Sequence, residues 1–93
     1  MRNYELEAKY DSRASFYGKA RVEADYPEVR LISYTTHVAS IRYNPDKLDH
    51  NGTPEVYGTY SQTTLRHIKE FLTQYGFKAD NSKQIMADYG VTR

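Results

Sequence analysis

The chain contains no cysteine, which excludes disulfides, thiolate metal sites and a cysteine nucleophile. Small secreted domains usually rely on disulfides, so this absence argues against secretion. No uncharged run approaches the roughly 20 apolar residues that a membrane-spanning helix needs. The N-terminus, MRNYELEAKY, has acidic residues where a signal peptide would carry an apolar stretch. Together these absences predict a cytoplasmic protein that does not enter a membrane.

The chain also lacks an excess of either charge. It has 13 basic and 12 acidic residues, with a net charge of +1. A dedicated duplex-DNA-binding domain is normally more basic, because neutralising phosphates supplies much of its affinity. A protein that mimics DNA would be strongly acidic. The balance of charge argues against both classes.

Recognisable catalytic and metal-binding signatures are missing as well. The three histidines lie on different predicted elements: His37, His50 and His67. No His-x₃-His or HExxH spacing, no G-x-S-x-G and no P-loop occurs. Asp46 and Asp49, beside His50, could hold a cation, and His67 with Glu70 could form an acid–base pair. We interpret both groups as solvated and expect no catalytic residue, cofactor or metal site.

Tyrosine is abundant, with ten in 93 residues. Tyrosine gives a large contact area at low entropic cost, which favours binding interfaces. Half-buried sheets of small domains also use it, so both interpretations stay open. A chain of this length predicts one domain covering residues 1–93.

Extended segments dominate the first two thirds of the chain. Residues 16–24 alternate between small or apolar and polar side chains, as in a half-buried strand. Further strands are expected over 29–35, 38–43 and 55–60. A polar loop at 44–54 carries two prolines and an Asn-Gly turn signal.

The first dozen residues fit two patterns. Tyr4, Leu6, Ala8 and Tyr10 alternate like a strand. Glu5 and Lys9 are equally spaced for an ion pair on a helix. The pattern leaves strand and helix open here.

Two helices are predicted after residue 60. Leu65, Ile68, Leu72 and Tyr75 fall on one stripe, with Phe71 beside it. Either Ser61 or Thr63 can cap the start of this helix, and Gly76 can end it in the left-handed conformation. A shorter helix begins at Asn81 and ends at Gly90.

These elements predict an α+β domain: an antiparallel sheet of three to four strands, covered on one face by one long helix, with a short C-terminal helix. The residues expected on the covered face are Gly18, Ala20, Val22, Leu31, Ala39, Ile41, Val56, Gly58 and Tyr60.

Four segments, taken together, resemble those of a known family. They are YDSRASFYGKA at 10–20, LISYTTHVASI at 31–41, VYGTYSQTTLRHIKEFLTQYGFKA at 56–79 and KQIMADYG at 83–90. The chain resembles, over residues 10–90, small uncharacterised proteins encoded by phages and other mobile elements of Gram-positive bacteria. The loop at 44–54 is longer than that family's usual connection. The resemblance implies an accessory protein that acts inside a bacterial host by binding host machinery, and inhibitors of CRISPR nucleases are one class of such proteins.

The open face of the sheet is the first candidate binding surface. Tyrosines alternating with basic residues suit both single-stranded nucleic acid and a protein partner. The candidate residues on this face are Tyr17, Lys19, Arg21, Arg30, Tyr34, Arg42 and Tyr57. Arg66 and Lys69, on the solvent side of the long helix beside His67 and Glu70, form a second candidate.

Two functions follow as hypotheses. The first is an inhibitor that docks on a host defence nuclease, such as a type II CRISPR effector, and blocks nucleic-acid loading or activation. The alternative is a module that binds single-stranded nucleic acid in phage replication or regulation. A metal-dependent enzyme is a weaker third.

Overall fold

The computed structural model describes residues 2–11, 16–44, 46, 52–58 and 61–91. Within these residues the chain forms a five-stranded antiparallel sheet, in which each strand pairs with the next along the sequence. The strands are β1 (Arg2–Glu5), β2 (Ala20–Asp25), β3 (Glu28–Ser33), β4 (Thr36–Arg42) and β5 (Thr53–Val56). Two helices follow, α1 (Gln62–Gln74) and α2 (Ser82–Tyr89).

One face of the sheet packs against the helices, and the register explains why. Val22, Leu31, Ala39 and Val56 are paired in one row across β2 to β5, and all are completely buried. Ile41 continues the same face. This row lies on the face that the helices cover. Since side chains alternate along a strand, the residues between them lie on the uncovered face of the sheet.

The α+β class and most of the predicted covered face are confirmed, but the strand count is not. The prediction of three to four strands is wrong because residues 2–5 form β1, which pairs with β2. Gly18 was expected on the covered face and instead lies in an exposed turn, so β2 begins at Ala20. Gly58 is half-buried, and Tyr60 lies outside the described residues.

Both ends of α1 carry the predicted signals. The Ser61 side chain accepts a hydrogen bond from the Thr64 N–H, so Ser61 is the N-cap. At the other end Gly76 has φ 88°, and the Phe77 N–H donates to the Leu72 carbonyl over 2.9 Å. This is the Schellman arrangement, which lets glycine end a helix without steric cost.

Helix α2 closes the β5 edge of the sheet. Asn81 caps its start by accepting from the Gln84 N–H, and Ile85 is buried against the core. After the helix, Gly90 forms a parallel bridge with Val56, and the Val91 N–H donates to the Val56 carbonyl. In the described part of the chain, neither helix combines the length and the apolar character needed to cross a membrane.

Candidate functional site

Tyr17 and Gly18 occupy a tight turn immediately before β2. The Lys19 N–H donates to the Phe16 carbonyl over 3.0 Å, and φ is 54° at Tyr17 and 73° at Gly18. Positive φ at both central residues is typical of a type I′ turn, where glycine and asparagine are favoured. A left-handed backbone costs an ordinary L-residue about 1–2 kcal/mol. Tyr17 is nevertheless 77% exposed, so burial does little to offset that cost.

Tyr34 occupies a comparable position in the hairpin between β3 and β4. Ser33 pairs with Thr36 across the two-residue loop, and Tyr34 has φ 58°. Only the first of the two central residues has a positive φ, as in a type II′ turn, where that position is normally glycine. Tyr34 is 48% exposed. A second partly exposed tyrosine therefore holds a backbone conformation that suits another residue better.

The two turns, residues 16–19 and 33–36, are hereafter the tyrosine turns, and they form one structural unit. The Tyr34 N–H donates to the Lys19 carbonyl over 2.7 Å. The Phe16 ring packs edge-on against His67, with centroids 4.7 Å apart, and the Tyr34 ring lies 5.9 Å from the same imidazole. His67 on α1 thus supports both turns from beneath.

His67 is buried, which corrects the expectation that it lies on the solvated side of α1. Only 1% of it is exposed, and its Nδ1 lies 2.8 Å from the Ser33 hydroxyl, which also contacts the Thr64 hydroxyl at 2.9 Å. Burial lowers the pKa of His67, while the charge of Asp11 acts in the opposite direction. The imidazole is therefore neutral at pH 7. Its Nε2 has no hydrogen-bond partner among the described residues.

Glu70 is also buried rather than solvated. Its Oε1 accepts hydrogen bonds from the backbone N–H groups of Tyr10 and Asp11, at 2.8 and 2.9 Å. Its Oε2 accepts from the Gln74 side chain at 2.5 Å. A carboxylate can be buried when donors surround it in this way. Glu70 fastens the segment after β1 to α1 and does not form an acid–base pair with His67.

The uncovered face of the sheet, which we call the charged face, carries four of the predicted site residues: Arg21, Arg30, Arg42 and Tyr57. The three arginines alternate with four carboxylates, so the face has no excess of positive charge. The carboxylates are those of Glu23, Asp25, Glu28 and Glu55. The closest ion pairs are Arg30–Glu28 at 2.7 Å, Arg42–Glu28 at 3.0 Å, Arg42–Glu55 at 3.0 Å, Arg30–Glu23 at 3.5 Å, Arg21–Glu23 at 3.7 Å and Arg30–Asp25 at 3.9 Å.

These ion pairs hold the arginine side chains along the sheet. A hydrogen bond to Glu28 raises the pKa of Arg30, and one to Glu55 raises the pKa of Arg42. Tyr57 belongs to the same network, since its hydroxyl donates to Glu55 and lies 3.1 Å from the Ser40 hydroxyl. The charge of each arginine is therefore largely balanced by carboxylates of the same face.

Arg66 and Lys69 lie on the opposite side of the molecule from the charged face. They border a groove of about 510 Å³ between α1, the segment at Tyr10 and Asp11, and Ala79. The Arg66 guanidinium contacts Asp11 at 3.1 Å. The structure therefore separates the predicted site residues into three surfaces: the tyrosine turns with Lys19, the charged face, and this groove.

Sequence comparison then identifies the family. The profile of DUF8033, a family of unknown function, matches residues 4–88. The chain belongs to DUF8033. No curated protein and no solved structure matches it. The range shared with DUF8033 contains both tyrosine turns, the charged face from β2 to β5 and the groove on α1.

Sequence reasoning selected Tyr17 and Tyr34 in this DUF8033 chain, but for the wrong surface. Strict alternation from Phe16 onward suggested a strand, whereas Gly18 within that pattern was a turn signal. The apolar residues of α1 do not by themselves predict that His67 supports the turns. His67 lies four residues before Phe71 and so on the same side of the helix, but this spacing does not reveal its tertiary partners. The possible cation site at Asp46, Asp49 and His50 lies mostly outside the described residues. The same is true of the predicted loop at 44–54.

Proposed function

We propose that this DUF8033 protein is a non-enzymatic binding protein that docks on a protein partner through its tyrosine turns. The observation that carries the proposal is the pairing of exposure with backbone strain at Tyr17 and Tyr34. Non-glycine residues held in the left-handed conformation concentrate at functional sites, where the strain is part of the function. Glycine would fit the backbone of both turns at lower cost, and we therefore assign the two phenolic side chains a role in binding.

The rigidity of the turns supports the same function. The hydrogen bond from Tyr34 to Lys19 and the packing of both turns on His67 fix the backbone that carries the two phenols. A surface that is already ordered loses less entropy on binding. Tyrosine is also among the residues that contribute most to binding energy at protein interfaces.

A direct test uses host-cell lysate and an affinity-tagged protein. Tyr17→Ala and Tyr34→Ala should each release a partner that the wild type retains. Tyr26→Ala is the matched control, because Tyr26 is 68% exposed in the turn at the other end of the sheet. Equal retention of the partner by all three variants would refute docking through the tyrosine turns.

The nature of the partner is a further proposal, which rests on the resemblance described above. We propose a phage or mobile-element protein that acts in the cytoplasm of a bacterial host and inhibits a defence nuclease of the type II CRISPR class. The test mixes the purified protein with such nucleases and measures DNA cleavage. Formation of a complex and slower cleavage are expected. No complex and complete cleavage at high molar excess would exclude this partner.

Single-stranded nucleic acid is the second candidate ligand, but the charged face argues against it. Stacking sites for single strands combine aromatic residues with a basic groove, whereas these arginines are paired with carboxylates. We expect no salt-dependent binding of oligonucleotides at low ionic strength. Neutralising the carboxylates with Glu23→Gln and Glu28→Gln should create weak binding. Tight binding by the wild type would favour this alternative instead.

A further inference from the structure

The two edges of the sheet differ. The edge at β5 is bridged by Gly90 and Val91. Among the described residues, none pairs with the outer edge of β1. An unpaired edge presents a row of backbone donors and acceptors that another extended segment can use.

The direction of the free backbone groups on β1 follows from its pairing. The Leu6 N–H donates to the Ala20 carbonyl over 2.9 Å. Because antiparallel residues alternate between facing the partner strand and facing away, Tyr4 also faces β2. Asn3 and Glu5 then direct their N–H and C=O groups outward.

A groove runs beside this edge on the helix side of the sheet. It has a volume of about 450 Å³ and lies between β1 and the end of α1. The hydroxyls of Tyr4 and Tyr75 are 2.7 Å apart in its wall. The pKa of Tyr75 is raised, mainly because the hydroxyl is buried and also because of this hydrogen bond. The apolar part of its lining comes from Tyr4, Ala24 and Tyr75, and the remainder is polar or charged.

The side chain of Glu5 adds a charge requirement. Glu5 is exposed on the charged-face side of β1, and no ion pair joins its carboxylate to any described residue. A Cβ atom placed on Gly18 would lie 3.6 Å from Glu5 Oε1, so this end of β1 adjoins the first tyrosine turn. Arg21 lies opposite Glu5 on β2, but its ion pair is with Glu23. A strand added on the outer side of β1 would bring its own side chain opposite Glu5, where a cation would be complementary.

We propose that the outer edge of β1 binds an extended segment of a protein partner as a sixth strand of the sheet. Backbone hydrogen bonds to Asn3 and Glu5 hold the segment. Its apolar side chains enter the groove beside Tyr4 and Tyr75, and a lysine or arginine lies opposite Glu5.

A second copy of the chain fits this edge less well. Two β1 strands paired through their outward-facing residues place Glu5 opposite Asn3 or opposite another Glu5. Neither register supplies a cation, and like charges placed directly opposite are unfavourable. The proposal is separate from docking through the tyrosine turns, because it concerns other residues and another kind of contact.

The test selects binders from a display library of random peptides and measures them against a semisynthetic protein with N-methylglutamate at position 5. Methylation removes an outward N–H while leaving the pairing of β1 with β2 intact. Enriched peptides should alternate apolar and basic residues, and methylation should weaken them about tenfold. Glu5→Gln, which keeps the N–H, should weaken only the peptides that carry a basic residue.

Hydrogen exchange then decides where a peptide binds. The amides of Asn3 and Glu5 should become protected when peptide is added, whereas the Tyr4 amide should not change. An equal affinity of the methylated protein would overturn the proposal, as would a failure to enrich any peptide. Protection of the same amides without peptide, together with dimer formation, would make a second copy the occupant and also overturn it. Protection confined to residues 16–19 and 33–36 would assign the peptides to the tyrosine turns and would also overturn the proposal.

Discussion

Replacing Tyr17 with asparagine should make the protein more stable while it removes binding. Tyr17 has φ 54° and is 77% exposed. Asparagine is among the few residues that adopt this left-handed conformation readily. The substitution therefore relieves backbone strain at a position whose side chain contributes little to the core.

The expected size follows from two opposing terms. Relief of strain is worth about 1–2 kcal/mol. Since a tyrosine buries about 200 Å² when fully covered, a side chain that is 77% exposed buries only about 45 Å². At about 25 cal/mol per Å² this is about 1 kcal/mol at most, part of which asparagine retains. The net gain is about 0.5 kcal/mol.

A comparison with Tyr17→Ala isolates the backbone strain. Both substitutions remove the tyrosine ring, but alanine, unlike asparagine, is still unfavourable in the left-handed conformation. Tyr17→Asn should exceed Tyr17→Ala by about 1 kcal/mol in free energy of unfolding, measured by urea denaturation. Tyr10 is the control site: it is 68% exposed and its φ is not positive. At position 10 the asparagine and alanine variants should have the same stability.

Two results would refute this reasoning. If asparagine and alanine are equally stable at position 17, the turn is not strained and its tyrosine needs no functional explanation. If Tyr17→Asn is more stable and still binds the partner at full strength, the strain is real but does not serve binding.

Three further perturbations test the contacts that α1 makes and the cap at its start. Glu70→Ala leaves two backbone N–H groups without their carboxylate acceptor, so it should lower stability by about 2–3 kcal/mol in urea and speed exchange of the Tyr10 and Asp11 amides. His67 has a lowered pKa in the folded protein, so the unfolded chain binds more protons below about pH 6.5. The free energy of unfolding of the wild type should therefore decrease as the pH is lowered from about 6.5 to the folded pKa of His67. His67→Asn should make this pH dependence weaker. An identical pH dependence in the variant would show that His67 is not buried as a neutral ring. Ser61→Ala should cost about 1 kcal/mol, which thermal unfolding can detect, and no loss would mean that Ser61 does not cap α1.

The parts of the fold that the sequence predicted are those that depend on local chemistry. Ser61, Gly76 and Asn81 mark helix ends through their own side chains or backbone freedom, and all three do so in the structure. The covered face followed from alternation, which depends only on strand geometry. Residues 2–5 remained ambiguous because a strand at an edge is defined by its neighbour β2, which local pattern does not reveal.

Burial of polar residues on α1 was beyond the sequence pattern for a similar reason. Glu70 is buried because the backbone of residues 10 and 11, far away in sequence, supplies its donors. His67 is buried because Ser33 and two aromatic rings surround it. Hydropathy treats both side chains as solvated, so only the tertiary structure shows that His67 supports the tyrosine turns and that Glu70 holds residues 10 and 11 against α1.

The central claim is that the tyrosine turns contact a protein, and site-specific photo-cross-linking tests it most directly. A photoreactive phenylalanine derivative is placed in turn at positions 17, 34 and 26, and cells that express each variant are irradiated. Positions 17 and 34 should give the same discrete protein adduct, which the wild-type protein suppresses by competition, and position 26 should give none. Adducts of equal yield at position 26, adducts with nucleic acid, or no adduct at positions 17 and 34 would contradict the claim.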